Sequence, residues 1–380
     1  MRLSLRSGNV GEWLALHAGV VPEAAGQAWG GMALSGILVA AVRTGLIERL
    51  AREPATAAEL AAGLDLDPVP AGLLLECLRS SGHVARQSDH QGGRYRLTRR
   101  SRRWLDPESP YSIAQFVAAT GDYWDWWSRM DETVRSGPPV GHHHAPPGDP
   151  YWRRYITGQF ELARLSADEV AGKLKPGGKR GLPAGSRSLL DIGGGHGWYS
   201  ARLCHRNPGL TATVLDLPGS AAIGREIIAG AGMADRVRFR DGDATRDDLG
   251  DGYDAVLCFN LVHHLTLEQI TGLFARVHAA LRPGGVLAVL DGFTGSRNGV
   301  TGARRQLAQA DILSLFVYLS SGSRVHTQAE LCGWLRDAGF APPRRTGILR
   351  IPGQALYTAR TPPAGLCSRS LLLQRQKTRT

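Results

Sequence analysis

Residues 189–199 read Leu-Leu-Asp-Ile-Gly-Gly-Gly-His-Gly-Trp-Tyr, a run suited to holding a ligand by main chain as much as by side chain. A short apolar stretch ends on Asp191, glycines follow at 193, 194, 195 and 197, and a helical pattern begins at Trp198. Glycines of this kind allow positive φ and close backbone approach, and a helix N-terminus beyond them presents unpaired N–H groups. Three further acceptors close later apolar stretches. Asp216 can accept from both hydroxyls of a ribose, Asp243 (in Asp-Gly-Asp-Ala) can accept from an adenine amino group, and Asn260 with Leu261 follows the next run. A dinucleotide fingerprint would require glycine at 198, where this chain has Trp198, which argues against a nicotinamide dehydrogenase.

These residues need a scaffold that brings strand ends together. From residue 186 the pattern alternates strand and helix, as in a doubly wound parallel sheet. Strands are expected at 188–192, 212–216, 237–240, 255–259 and 286–291, with helices at 198–204, 220–230 and 267–281. A last helix, 327–338, precedes strand-like 347–351 and 355–360. In such a sheet ligands sit at the carboxyl ends of the strands, so four acceptors at four successive strand ends describe one site.

The first half reads differently. Apolar residues recur at helical spacing over 32–50; Thr56 caps a short helix with Glu59 at the capping-box position; 69–78 forms a third helix. Residues 83–86 and 94–98 alternate like two strands about a turn at 89–93, completing a winged-helix pattern. Aromatic-rich helices are expected at 111–133 and 151–174, separated by a loop carrying His142, His143 and His144. Three consecutive histidines cannot converge on one centre, and no metal site is expected. The break at 176–185 divides the chain into a helical domain, 1–175, and an α/β domain, 186–361, followed by a basic tail, 362–380.

Composition sets the outer bounds. With 380 residues, 43% hydrophobic and 21% charged, the chain has the make-up of a globular protein of about two domains. The longest uninterrupted apolar stretch lies within 32–42, far short of the ~20 residues that span a bilayer. No secretory signal pattern follows the first residues, and five scattered cysteines lack metal or disulfide spacing; a cytoplasmic location without membrane contact is expected. The net charge of +11 concentrates in arginines between 94 and 103 and in the tail. Such clusters can mark nucleic-acid surfaces, but a solvated face is the plainer reading, so nucleic acid is not the expected partner.

The D-x-G-x-G-x-G form of 191–197 resembles the first motif of S-adenosylmethionine-dependent methyltransferases. With Leu215-Asp-Leu-Pro218, Gly242-Asp243, Val262-His263 and Leu281-Arg-Pro-Gly-Gly285, and with the winged-helix half, the chain resembles the O-methyltransferase family of plant phenolic and bacterial antibiotic-tailoring enzymes. The resemblance runs from about Ala33 to Arg360. It implies a Rossmann-like class I methyltransferase domain preceded by a winged-helix dimerisation domain, hence a homodimer acting on a small-molecule acceptor. S-adenosyl-L-methionine would then be held by Asp191, Gly193, Gly195, Asp216, Leu217, Gly242, Asp243, Ala244 and Asn260.

The same resemblance puts His263 where the family has a general base and Asp291 where it has an acidic partner. His264 replaces the usual aspartate, and Val325 stands where a second acid is expected. Gln159, His264 and Trp124 are candidates to line the acceptor pocket. The expected reaction is methyl transfer to a hydroxyl of an aromatic or polyketide-like metabolite. With one acid missing, an amine or carbon acceptor that needs no base stays open, as do another reaction on the same cofactor and a DNA-binding regulator.

Overall fold

The computed structural model describes residues 9–18, 20, 22–87, 93–137, 145–179, 181–294 and 309–363. His142–His144, the 89–92 turn and the tail beyond 363 lie outside the described residues. The chain packs as two compact units, one holding residues up to Ser128 with Thr157–Arg164, the other the described parts of Arg129–Ile156 and Leu165–Thr380.

The first unit begins with α1 (Val10–His17), α2 (Glu23–Arg43), α3 (Leu46–Arg52), α4 (Ala57–Gly63) and α5 (Pro68–Ser80). The hairpin β1 (Val84–Gln87) and β2 (Arg94–Leu97) follows, pairing Val84 with Leu97 and Gln87 with Arg94. Ala55 adds a further bridge to Tyr95, giving the winged-helix arrangement its third strand position. The α4 start is set as expected: Thr56 and Glu59 satisfy each other's backbone N–H in a capping box. Leu46, Leu50, Leu60, Leu75, Leu78 and Leu97 are fully buried and form the core of this unit.

Two helices of this half depart from expectation. The apolar pattern over 32–50 is not one helix, because Gly45 adopts φ 78 and turns the chain between α2 and α3. The N–H groups of Thr44 and Gly45 donate to Ala40 and Val42 carbonyls, closing α2. The expected helix over 111–133 is likewise broken into α7 (Ala114–Thr120), a 3-10 turn Gly121–Tyr123 and α8 (Trp124–Ser128), with α9 (Met130–Ser136) beyond. Arg43 causes part of the break: its guanidinium donates to the Ala118 carbonyl at 2.8 Å and Asp122 at 2.7 Å, and crowds Gly121. A short helix α6 (Arg99–Leu105), capped by Thr98, was not evident from the pattern.

α2 keeps Trp29, Met32 and Leu34 largely exposed. Its segment Ala24–Arg43 has a mean hydropathy of 1.4, long and apolar enough to cross a membrane by length and composition. Counting only the uninterrupted apolar stretch missed this, because Gly30, Gly31, Ser35 and Gly36 interrupt the run but not the helix. Of the six arginines between 94 and 103, three are committed to protein. Arg94 pairs with Glu59, Arg102 donates to the Ala51 carbonyl, and Arg103 lies over the Tyr111 ring.

The second unit is the α/β part. After α10 (Pro150–Lys173) come β3 (Ser188–Ile192), α11 (Trp198–Arg206), β4 (Thr211–Asp216), α12 (Pro218–Gly230), β5 (Val237–Asp241) and β6 (Tyr253–Phe259). They are followed by α13 (Leu267–Ala280), β7 (Leu281–Gly292), α14 (Gln309–Ser321), α15 (Gln328–Asp337), β8 (Arg344–Gly347) and β9 (Gln354–Arg360). The sheet order is β5-β4-β3-β6-β7-β9-β8, parallel through β7, with β9 antiparallel to β7 and β8 antiparallel to β9. Order reverses at β3, so the crevice a ligand can enter opens where β3 ends. The run Leu189-Leu190 and the run Ala255–Phe259 are buried, as strands covered by helices on both faces must be.

One strand was misplaced by the sequence reading. The edge strand is Arg344–Gly347 rather than 347–351. The N–H groups of Leu349 and Arg350 donate to the Glu169 carboxylate instead of to a strand, and the chain then turns at Gly353 with φ 99.

Candidate active site

The loop after β3 is shaped by glycine geometry. Gly193, Gly195 and Gly197 have φ of 64, 53 and 67, a region that side chains resist. Gly194 is small for a different reason: an added Cβ would stand 2.6 Å from Asp191 Cγ and 2.7 Å from Val214 Cγ1. Gly224 of α12 is needed too, since a Cβ there would collide with the Gly195 carbonyl. The Trp198 N–H donates to His196 Nδ1 at 3.0 Å, which starts α11; burial pushes this imidazole down to about 4 and keeps it neutral.

Three carboxylates stand at or just beyond the carboxyl ends of β3, β4 and β5, each in a different state. Asp191 is buried at 1% exposure and accepts from the Ser200 hydroxyl at 2.7 Å through Oδ2, while Oδ1 has no hydrogen-bond partner among the described residues. Burial raises its carboxyl to about 7, partly offset by Ser200 and reinforced by the charge of Asp216. Asp216 accepts from the N–H groups of Gly195 at 2.6 Å and Leu217 at 2.7 Å, so it ties the glycine loop to the start of α12. Burial raises it and these two donors draw it back, leaving it above the ordinary value. The Ser220 hydroxyl, buried close by, also favours the Asp216 charge. Asp243 is already engaged on both oxygens. Thr245 donates to Oδ1 from its N–H and hydroxyl at 2.8 and 2.7 Å, and Arg246 holds Oδ2. Burial alone would raise Asp243, but Thr245 and Arg246 together hold it below the ordinary carboxylate range. Gly242 must be glycine because a Cβ would approach Asp247 and Leu215, and Ala244 is buried beside it with its carbonyl held by Arg276.

At the end of β6, Asn260 adopts φ 52, one of two non-glycine residues with positive φ among those described. Its amide oxygen accepts from Gln354 of β9 at 2.9 Å and its N–H donates to Leu290. Backbone strain maintained in this way concentrates at functional sites. Beyond it a 3-10 turn carries His263, 7% exposed, whose Nδ1 lies 2.6 Å from Asp291 Oδ1. Asp291 is itself 1% exposed and also accepts from the Gly292 N–H at 2.7 Å. Because an ionised carboxylate only accepts, Nδ1 is the nitrogen that donates in this contact, and in the neutral ring Nε2 is the one that carries the lone pair. His264 stacks obliquely on His263 with ring centroids 4.2 Å apart, and its Nδ1 lies 3.3 Å from the Ser321 hydroxyl.

The strand ends thus gather Asp191, Gly193, Gly195, Asp216, Leu217, Gly242, Asp243, Ala244, Asn260, His263, His264 and Asp291 in one unit. Gln159 and Trp124 belong to the other unit, where both are half-buried. Sequence reasoning missed Ser220, His196 and Gln354. His196 lies within the 191–197 motif and Ser220 two residues beyond the Leu215–Pro218 motif; nothing in the sequence links Gln354 to Asn260. Val325, at the expected second acid, is buried at 4% exposure.

Comparison with known proteins agrees with this geometry. Residues 182–341 match an O-methyltransferase domain, and residues 27–107 match an O-methyltransferase dimerisation domain. The chain is 30% identical over 330 residues to 3-hydroxy-5-methyl-1-naphthoate 3-O-methyltransferase of Streptomyces sahachiroi, covering 82% of this chain and 90% of that one. It is 29% identical over 318 residues to the tetracenomycin polyketide synthesis 8-O-methyl transferase of Streptomyces glaucescens, covering 82% and 89%. Human N-acetylserotonin methyltransferase in complex with S-adenosylmethionine superposes with a TM-score of 0.77 over 94% of this chain and 100% of that one; at 19% identity this speaks for the fold. Fold and site define an S-adenosylmethionine-dependent methyltransferase. Within that class, the chain belongs to the O-methyltransferase family and carries the family's dimerisation domain.

The residues present fit S-adenosylmethionine. One buried polar atom beside the glycine loop, Asp191 Oδ1, has no partner among the described residues, and the loop itself has no room for a side chain at Gly194. Polar atoms left so are costly unless a ligand or water completes them.

Proposed function

We propose that this O-methyltransferase methylates a phenolic hydroxyl of a small aromatic or polyketide-like metabolite, with His263 as general base and Asp291 as its orienting partner. The observation that carries the reading is the 2.6 Å contact between His263 Nδ1 and Asp291 Oδ1, with both side chains buried. The printed activities of the two Streptomyces relatives, one on a hydroxynaphthoate and one in polyketide synthesis, support the acceptor class.

S-adenosylmethionine, when bound, supplies an electrophilic methyl group on a sulfonium. Asp216 and Leu217 would hold its ribose end, Gly242, Asp243 and Ala244 its adenine end, and Asp191, Gly193, Gly195 and Asn260 its amino-acid end. A phenol with pKa near ~10 is mostly protonated at neutral pH. His263 Nε2 would take that proton as the oxygen attacks, and Asp291 would stabilise the imidazolium. The near-absence of solvent around the pair strengthens that stabilisation. Asp243 would use the lone pairs that Thr245 and Arg246 leave free. Gln159, His264 and Trp124 remain the proposed acceptor-lining residues. We further propose domains at 1–175 and 186–361, a cytoplasmic location, and a homodimer in which the exposed apolar face of α2, within the matched dimerisation domain, meets its twofold copy.

The test is a pH–rate profile for wild type and His263→Gln on one phenolic acceptor, with S-adenosylhomocysteine affinity measured alongside. Turnover should fall about 10²–10⁴-fold while cofactor affinity is kept. A variant within a few-fold of wild type at neutral pH would remove the base from the reading and favour catalysis by positioning alone.

A further inference from the structure

Asn260 is the joint between β6 and the 3-10 turn that carries His263, and its backbone conformation is one that side chains resist. Its φ of 52 lies in the left-handed region, where the other described non-glycine residue is Asp65. Asparagine tolerates that region better than most residues without preferring it. On one side the Asn260 N–H donates to the Leu290 carbonyl at 2.8 Å, which keeps it in register with β7. On the other, the His264 N–H donates to the Leu261 carbonyl at 3.0 Å and the Leu265 N–H to the Val262 carbonyl at 3.2 Å, closing the turn. The φ of Asn260 therefore sets how this turn leaves the sheet, and with it where the His263 ring meets Asp291.

Support for that conformation comes from two strands away. Gln354 Nε2 donates to Asn260 Oδ1 at 2.9 Å. Strands β6 and β9 flank β7 on opposite sides, so they stand about 10 Å apart, and the two amides meet across the end of the strand that carries Asp291. Gln354 lies directly opposite Gly292, the residue after Asp291. It is itself anchored: its N–H donates to the Ile351 carbonyl at 3.2 Å, and Glu169 holds the N–H groups of Leu349 and Arg350 at 2.9 and 3.1 Å. Among the described residues the Gln354 amide makes only the bond to Asn260, and its buried Oε1 has no partner there. An amide tied by a single bond calls for an explanation in what that bond does.

We propose that Gln354 is a positioning residue for methyl transfer: it holds Asn260 in the left-handed conformation and so fixes the His263 ring against Asp291. The effect on turnover rests on the reading of His263 as base; the effect on geometry rests on the His263–Asp291 contact alone. Without the Gln354 amide, Asn260 relaxes toward an ordinary φ and the turn carrying His263 shifts with it. A displacement of about 1 Å in a group beside the reacting atoms costs on the order of 10²-fold in rate. The loss falls on kcat rather than on the acceptor KM, because Gln354 aligns the base and does not hold the acceptor.

The experiment compares Gln354→Met, Asn260→Gly and the double variant in the full-length enzyme. Methionine keeps the length of the side chain and removes the donor. Glycine accepts the same φ but loses the amide, so nothing holds it there. Each single variant should lower kcat on one phenolic acceptor by about 10–10²-fold, with the acceptor KM within about threefold of wild type. The double variant should be no slower than the worse single, because both delete one interaction; losses that multiply overturn the proposal, as expected if Gln354 served only the packing of β9. In protein carrying isotope-labelled histidine, the proton resonance of His263 Nδ1, assigned by its absence in His263→Gln, should move in both single variants at fixed pH. An unmoved resonance in a folded Gln354→Met protein overturns the proposal whatever its kcat. Should Gln354→Met fail to fold, Asn260→Gly decides by the same resonance, which must move. The two readings fail differently: without a base role, His263→Gln keeps its turnover while the resonance still moves; without this positioning role, the resonance stays and His263→Gln still loses turnover.

Discussion

Asp191→Asn offers a sharp test of the electrostatics under the glycine loop. The Asp191 carboxyl stands at about 7 in the folded protein against an ordinary 3.8. The unfolded chain releases that proton near pH 4, whereas the folded chain keeps it to about pH 7. Over that window the folded state binds more protons, so wild-type stability falls as pH rises, by about 1.4 kcal/mol per pH unit from this group alone. Between about pH 5 and pH 8 the loss amounts to about 3 kcal/mol. Asparagine keeps the shape and an acceptor for the Ser200 hydroxyl, but it places an N–H donor where Oδ1 now has no partner. Near pH 5 the neutral wild-type carboxyl carries an O–H donor of its own, so the amide adds no new unsatisfied donor there. The variant should therefore be close to wild type in stability near pH 5 and more stable than wild type near pH 8, by up to about 3 kcal/mol. Urea unfolding of the ligand-free protein at fixed concentration, followed by tryptophan fluorescence, measures the difference. A gap between the two proteins that stays flat across this range refutes the assignment of a buried, proton-holding carboxyl to Asp191.

Three further outcomes follow from the geometry. Asp216→Ala removes the acceptor that Gly195 and Leu217 share; S-adenosylhomocysteine binding by calorimetry should weaken by about 1.5–3 kcal/mol, and unchanged affinity would show that Asp216 serves only the loop. Gly194→Ala forces a methyl against Asp191 and Val214, and overpacking of this kind costs about 1–3 kcal/mol or more; a thermal midpoint equal to wild type would contradict the close approach. Replacing Trp29 and Met32, both more than half exposed on α2, by Asp should convert a sedimenting dimer to monomer without unfolding the α/β unit; a variant that still sediments as a dimer would move the interface elsewhere.

Much of the α/β half was legible because its signals are local and redundant. Most strands from β3 to β7 are apolar stretches followed by an acceptor or a glycine, with β5 (Val-Arg-Phe-Arg-Asp) alternating instead, and α13 and α15 start at capping boxes on Thr266 and Thr327. The helical half was harder. Nothing in the apolar periodicity of 32–50 distinguishes a helix interior from the left-handed turn at Gly45. The break near Gly121 depends on Arg43, some 78 residues earlier, reaching the Ala118 carbonyl. The edge strand was displaced because Ile348 and Leu349 look like strand residues, yet Leu349 is 87% exposed and its N–H is taken by Glu169. For the site, residue types at strand ends could be read off, but their states could not. That Asp243 is occupied by Thr245 and Arg246 while Asp191 holds an unpartnered oxygen is decided by tertiary neighbours.

The antiparallel placement of β9 beside β7 has a consequence for biosynthesis. Asp291 lies opposite Ala355, and Gln354, which steadies Asn260, belongs to the same late strand. While a ribosome is still short of residue 360, β7 is an open sheet edge of Val286, Leu287, Ala288, Val289 and Leu290 with its hydrogen-bonding groups unclaimed. A nascent chain at that stage can have its glycine loop and its first four parallel strands in register and still be both inactive and prone to pairing with a neighbour. Nonsense or frameshift lesions upstream of residue 354 should therefore yield aggregating polypeptide, and a C-terminal tag or fusion is best attached beyond β9, where it leaves that final pairing undisturbed.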